Sequence, residues 1–360
     1  MASLLSPRVL RRGLQLFALV SVIGVVALLT YTGAWGPTLS ALTRVRPGWM
    51  LLAVALASSD WLGGGFRLWI LTKHVHRDTP FWGMVIAGGL TAWAGYLTPS
   101  GAGGGPMMIY AMKREGVPVP IAMIAAFISF FTTIVFFAIA GPLAMFAGAG
   151  QQLRAHGIPL LDISLYDVFA ASATTFGVIG GVLILAILFP GATRRLFHAV
   201  IAWLDRRGGG RMVKRMEGLR SGVDRMHDAL VAYFRGRGWL ATAFGVVTSA
   251  LAHANRLLAG YVAMRAVGLH PPFEAVLVLQ VTISFLLYFA PTPGGAGAAE
   301  ALQAALMSVF VPNDLLPAFI IIWRFTASYA TVAFGSYIFY RLLEGRIDEV
   351  DAAAVEAGAA

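Results

Sequence analysis

Apolar residues fall along this chain in long blocks, not in the alternating or 3.6-residue patterns of half-buried surface elements. The blocks occupy about residues 13–34, 49–72, 81–97, 118–147, 164–189, 238–264, 273–290 and 316–341. A helix needs roughly 20 apolar residues to cross a bilayer, and most of these blocks reach that length. Two of them, 81–97 and 273–290, run directly into Gly/Pro clusters. The first cluster is Thr98-Pro99-Ser100-Gly101-Ala102-Gly103-Gly104-Gly105-Pro106, and the second is Pro291-Thr292-Pro293-Gly294-Gly295-Ala296-Gly297. Helix-compatible limbs follow each, about 107–114 and 298–310. Non-helical backbone at membrane depth is tolerated only where protein buries it or it lines a wet cavity. Each cluster is therefore expected to be a re-entrant hairpin tip or a break in one crossing helix.

Composition agrees with spans. Hydrophobic residues make up 58% of the chain and charged ones 12%, against about 25% charged in soluble domains. Cysteine is absent, which excludes disulfide frameworks and thiolate metal sites. The net charge of +10 fits loops that follow the positive-inside rule better than it fits nucleic acid. Arg8, Arg11 and Arg12 precede an apolar run from Leu14 to Thr32, too long for a signal-peptide core, so it reads as an uncleaved first span.

Charge also chooses between hairpin and break. With two hairpins and a cytoplasmic N-terminus, the cytoplasmic side receives Arg8, Arg11, Arg12, Lys73, Arg77, Lys113, Arg114, Arg341, Arg346 and the arginine-rich 191–237 connection. The outside keeps Arg44, Arg46, Arg154 and Arg265. A break in place of the first hairpin would put the 191–237 connection outside, against the rule. The order then reads span, span, hairpin, span, twice. Three crossings per half make the second half inverted relative to the first, an arrangement shared by many transporters. Thr98-Pro99-x-Gly101-Ala102-Gly103 and Thr292-Pro293-x-Gly295-Ala296-Gly297 match, and each hairpin follows a span bearing Arg-Leu, Arg67-Leu68 or Arg256-Leu257.

The expected fold is thus an all-α polytopic membrane protein of two inverted repeats, about 13–148 and 164–343, in one transmembrane domain over 1–345. Each repeat has three spanning helices and one re-entrant, broken-helix hairpin. Both termini are expected in the cytoplasm, at the cytoplasmic (inner or plasma) membrane. Within 191–237, Met212, Met216, Leu219, Val223, Met226 and Leu230 recur at steps of three and four between basic residues. That pattern predicts a basic amphipathic helix, on an anionic leaflet or under the bundle. The acidic tail, 346–360, is expected to be disordered.

Candidate chemistry lies in the clusters and the buried charges. Helix N-termini after Gly103 and Gly297 would aim free N–H groups at the midplane and favour an anion. Gly101, Gly103, Gly104, Gly294, Gly295 and Gly297 would permit close backbone approach. Their competing reading is close helix packing. Asp60, Arg256, Arg324 and Glu300 are charges inside or beside spans, where each costs at least about 2.5–3.5 kcal/mol to insert. Arg256 and Arg324 would bind an anionic headgroup with Glu300 orienting one of them, or Glu300 would pair with Arg324 or Arg256 structurally. Arg67, near the cytoplasmic flank, would bind the same headgroup or snorkel. His253 reads as a packed or hydrogen-bonded histidine. No nucleophile elbow, metal-binding His-Glu pair or other catalytic constellation is present, so no catalytic residue, metal or cofactor is expected.

The chain also resembles the flippase-like membrane domain of lysylphosphatidylglycerol synthases, over about residues 10–345. The resemblance rests on Arg67, Pro99-Ser100-Gly101-Ala102-Gly103-Gly104, Tyr110, Arg114-x-Gly116, the basic amphipathic connection and Pro293-Gly294-Gly295-Ala296-Gly297-x-x-Glu300-Ala301. It implies translocation of an aminoacylated or otherwise modified phospholipid, or of a polyprenyl or glycolipid, without an aminoacyl-transfer domain to make the modified lipid. Membrane phospholipids are the implied partners, with a second copy or a lipid-modifying enzyme as further candidates. The alternatives are an intramembrane enzyme or accessory subunit of envelope-lipid synthesis, and a transporter of a small anion.

Overall fold

The computed structural model describes residues 7–155, 157–158, 163–207 and 213–341. In chain order the helices are α1 (Pro7–Thr32), α2 (Trp35–Thr43), α3 (Pro47–Ala57), α4 (Ser59–Lys73), α5 (Phe81–Tyr96), α6 (Gly104–Arg114), α7 (Val119–Ala144) and α8 (Gly150–Ala155). A two-stranded ribbon, Gly157–Ile158 with Ile163–Ser164, leads to α9 (Leu165–Leu188). There follow α10 (Pro190–Arg207), α11 (Val213–Phe234), α12 (Gly238–Ala252), α13 (Ala254–Ala266), α14 (Phe273–Leu287), α15 (Ala298–Met307) and α16 (Leu316–Arg324). Among the described residues, four stretches are long and apolar enough to cross a membrane: Val9–Thr32, Val119–Ala149, Leu165–Leu188 and Leu316–Arg341. The last widens into a π turn at Phe325–Tyr329 before continuing. The chain is an all-α membrane protein.

The expected segments 49–72 and 238–264 are each two helices rather than one. The first divides at Ser58 and the second at His253. Neither break contains glycine or proline; what makes them tolerable is polar exchange. The Asn255 backbone N–H donates to Ser59 Oγ at 2.9 Å, and Ser58 Oγ donates to the Ala55 carbonyl at 2.6 Å. Because α4 packs on α12 and α13 on α3, the two breaks lie across one another. Small residues permit that approach. A Cβ on Gly63 of α4 would stand 2.6 Å from the Leu251 carbonyl oxygen of α12.

The 191–237 connection forms two helices, α10 and α11, packed on one another. Asp224 of α11 accepts from Arg194 Nε at 2.8 Å and contacts His198 Nε2 at 2.9 Å, and the histidine bond holds its carboxyl below the usual range. The described side chains of α11 favour the packed arrangement: Tyr233 is buried against α7, with Leu230 beside it. α10 instead exposes Leu196, Phe197, Val200 and Trp203. Met212 and the tail 346–360 lie outside the described residues.

Candidate functional site

The two Thr-Pro-x-Gly-Ala-Gly copies fold into the same turn. Gly101 N–H donates to the Thr98 carbonyl at 3.2 Å and Ala102 N–H to that of Pro99 at 3.1 Å; Gly295 and Ala296 repeat this with Thr292 and Pro293 at 3.1 and 3.0 Å. Both copies put two successive residues in the left-handed region, Ser100 and Gly101 (φ 51° and 71°), then Gly294 and Gly295 (φ 57° and 66°). Such dihedrals favour glycine, so Ser100 is the strained member. The two turns meet: Pro99 and Pro293 form an antiparallel bridge.

A cavity of about 460 Å³ opens beside this meeting point. From the first turn it is lined by Ser100, Gly101, Gly104 and Gly105, and from the second by Thr292, Gly294 and Gly295. Asp60, Arg67, Tyr96, His253, Arg256, Tyr288 and Arg324 supply its polar wall.

The three arginines differ in what holds them. Arg324 is 1% exposed and donates from Nε and Nη2 to the two oxygens of Glu300 at 2.8 and 2.9 Å, and from Nη1 to the Gly294 carbonyl at 3.1 Å. Glu300 also accepts the Gly297 N–H at 2.7 Å. This pair ties α16 to the second turn, so each partner's charge is met within the protein. Arg67 does not reach out to the flank. It is 9% exposed, and Nη1 donates to Thr133 Oγ1 at 2.8 Å and Ser249 Oγ at 3.0 Å, leaving Nε buried without a partner. Arg256 donates from Nε to the Tyr96 hydroxyl at 3.2 Å and lies over the Tyr96 and Tyr288 rings at 5.0 and 5.9 Å. Among the described residues neither Arg67 nor Arg256 is paired with a carboxylate.

Of the sequence-predicted residues, Arg67, Gly101, Gly104, Arg256, Gly294, Gly295 and Arg324 therefore share one cavity, while Gly103, Gly297 and Glu300 lie outside its lining. The two helix N-termini also diverge. α6 starts at the cavity wall with no side-chain cap, whereas the start of α15 is closed by its own Glu300 carboxylate. Gly103 has an ordinary φ of −75° and is constrained instead by Thr98, whose methyl would stand 2.8 Å from an added Cβ.

Sequence reasoning misses Tyr96, Tyr288, Asn255 and Thr331. Asp60 Oδ2 accepts from Asn255 Nδ2 and Thr331 Oγ1, each at 2.9 Å, and lies 2.9 Å from the Tyr96 hydroxyl. That hydroxyl is also 2.7 Å from the Ala327 carbonyl, in the π turn. His253 Nδ1 faces the Ser249 carbonyl at 2.8 Å, so the bond fixes Nε2 as acceptor for the Tyr288 hydroxyl at 2.7 Å. The tyrosines flank the glycine turns at Leu97 and Phe289, which is the one positional signal they give.

Helices of membrane length, two matching glycine turns in contact and an arginine-lined cavity define an integral membrane protein with a polar site built at broken helices. The Lysylphosphatidylglycerol synthase TM region matches residues 15–335, and the chain belongs to that family. It is also similar to a UPF0104 membrane protein of Archaeoglobus fulgidus, at 22% identity over 312 residues, covering 84% of this chain and 89% of the relative.

Proposed function

We propose that the protein moves a phospholipid, or an aminoacylated, glycosylated or polyprenyl lipid, between leaflets, with the headgroup passing through the cavity. The observation that supports this best is the pair of guanidinium groups, Arg67 and Arg256, facing a shared cavity without carboxylate partners. Two such charges against the single Asp60 carboxylate leave a positive site, and Arg324 adds nothing because Glu300 offsets it. An anionic headgroup would complete the balance. The positive dipole end of α6, beside Gly104 and Gly105, favours the same charge.

In this reading α5–α6 and α14–α15 are re-entrant hairpins of two inverted repeats, entering from opposite faces with both chain termini cytoplasmic. The shared turn geometry and the positive-inside distribution support it. The tails would stay in lipid, since a cavity of about 460 Å³ suits a headgroup better than a whole diacyl lipid. A catalytic role has less support: Asp60 and His253 reach one cavity but bond to different partners, Asp60 to Asn255 and Thr331, His253 to Ser249 and Tyr288.

Exchange of fluorescent or aminoacylated phospholipids in reconstituted vesicles tests the proposal. Wild-type protein should accelerate exchange of at least one anionic or modified lipid, and Arg256→Ala and Gly105→Leu, the latter at a cavity-lining position where an added Cβ meets nothing within 4 Å, should abolish it while expressing normally. No acceleration across a broad lipid panel would sink the idea.

A further inference from the structure

Asp60 is the one carboxylate in the cavity's lining. Asp60 is 5% exposed, and among the described residues no lysine or arginine comes within ion-pair distance of it. An acceptor-only carboxylate suits its surroundings as they stand, because Tyr96, Thr331 and Asn255 can all donate to Oδ2. Yet each of those donors has a second acceptor within reach. The Tyr96 hydroxyl lies 2.7 Å from the Ala327 carbonyl, Asn255 Nδ2 lies 3.2 Å from the same oxygen, and Thr331 Oγ1 lies 3.5 Å from the Ala57 carbonyl.

The other half of the arrangement is Asn255 Oδ1. The residue is 0% exposed, and this oxygen is buried with no hydrogen-bond partner. Its amide group is oriented by two acceptors at Nδ2, so the oxygen is left waiting for a donor. A protonated Asp60 is such a donor. Turning the amide over would bring Oδ1 to the carboxyl, while Tyr96 and Thr331 swing their protons to Ala327 and Ala57. Asn255 Oδ1, without a partner while Asp60 is ionised, then has a donor, and Tyr96 and Thr331 keep acceptors.

The remaining charged and titratable groups around Asp60 set the sign. Tyr96 bonds Asp60 and accepts from Arg256, and Tyr288, His253, Arg67 and Arg324 line the same cavity. With Asp60 ionised, Arg67 and Arg256 leave one net positive charge; with Asp60 protonated they leave two.

From this we propose that Asp60 is a proton site coupled to the anion site: its carboxylate takes up one proton as an anion binds at Arg67 and Arg256, and releases it when the anion leaves. The proposal rests on the anionic-headgroup reading only for the anion's identity. Protonation removes a like charge from the ligand's surroundings, so proton and anion each strengthen the other's binding, reciprocally.

Calorimetric titration of the purified protein with a short-chain phosphatidylglycerol, in buffers of differing ionisation enthalpy, counts the protons exchanged. Wild type should take up protons on binding and bind about tenfold more tightly at acid than at alkaline pH, an ordinary magnitude for coupled sites. Asp60→Asn should bind at the acid-pH affinity throughout, with no proton uptake. The same pH dependence in Asp60→Asn, or binding that follows sodium instead of pH, overturns the proposal. Infrared difference spectra on wild type need no variant and no ligand: acidification should produce the band of a buried protonated carboxyl, and its absence overturns the proposal even if Asp60→Asn fails to fold. If the lipid does not bind at any pH while that band appears and is missing in Asp60→Asn, the headgroup reading fails and the proton site stands.

Discussion

Arg324 grips Glu300 through two parallel N–H···O bonds of 2.8 and 2.9 Å, deep in the protein. The same two residues hold the second glycine turn, one through the Gly294 carbonyl and one through the Gly297 N–H. Breaking a buried pair leaves one charge uncompensated, typically at a cost of about 3–5 kcal/mol, whereas replacing both partners by apolar groups is often neutral. Glu300→Ala should therefore lower the thermal unfolding midpoint in detergent sharply. Arg324→Met combined with Glu300→Leu should recover much of that loss. Equal damage in the double variant would mean that the turn itself, not the stranded charge, sets the cost.

Close backbone approach between α4 and α5 sorts the glycines. A Cβ on Gly88 would lie 2.5 Å from the Gly65 nitrogen, an atom that cannot swing aside, while a Cβ on Gly105 meets nothing within 4 Å. Gly88→Ala should cost about 1–3 kcal/mol or more by overpacking, and Gly105→Ala should leave stability unchanged. Thermal unfolding of the two variants side by side checks the contrast.

Ser100 is the residue of the first turn that its backbone suits least, with φ 51° where the second turn has Gly294. Ser100→Gly should relieve strain of about 1–2 kcal/mol, part of it offset by a more flexible unfolded chain and by loss of the hydroxyl contact to Ala290. A net gain or no change in unfolding temperature is expected. A clear loss would show that the serine hydroxyl matters more than the backbone.

Sidedness can be read directly because the chain contains no cysteine. Single cysteines at the exposed positions Arg225 in α11 and Gln151 in α8 should react with a membrane-impermeant maleimide from opposite faces, Arg225→Cys from the cytoplasm and Gln151→Cys from outside. Labelling with the faces exchanged, Arg225→Cys from outside and Gln151→Cys from the cytoplasm, would remove the hairpin topology.

Much of this architecture was legible as apolar blocks and as a repeated six-residue motif, because glycine and proline impose turns locally. The breaks at Ser58 and His253 were not legible. Ser-Ser-Asp and His-Ala-Asn continue a helix as readily as they end one, and only the exchange between Ser59 and Asn255 makes the breaks tolerable. That exchange also sets Asp60 and Asn255, not Arg67 and Arg256, at equal distances past their breaks. Tyr96 and Tyr288 were hidden for a similar reason, since an aromatic at a helix end gains its role only from an arginine on another span. The spacing Gly297-x-x-Glu300 did hold a signal: an acidic residue at the third helical position reaches back to the cap, as Glu300 does.

One feature of the two turns bears on how the cavity works. They touch through Pro99 and Pro293, and proline has no N–H with which to lengthen a strand pairing. The seam between the two turns, this bridge with the Ser100 hydroxyl bond to the Ala290 carbonyl beside it, is thus short and cannot zip. Parting the two turns would surrender little hydrogen bonding between them, and each is kept in shape by its own internal bonds.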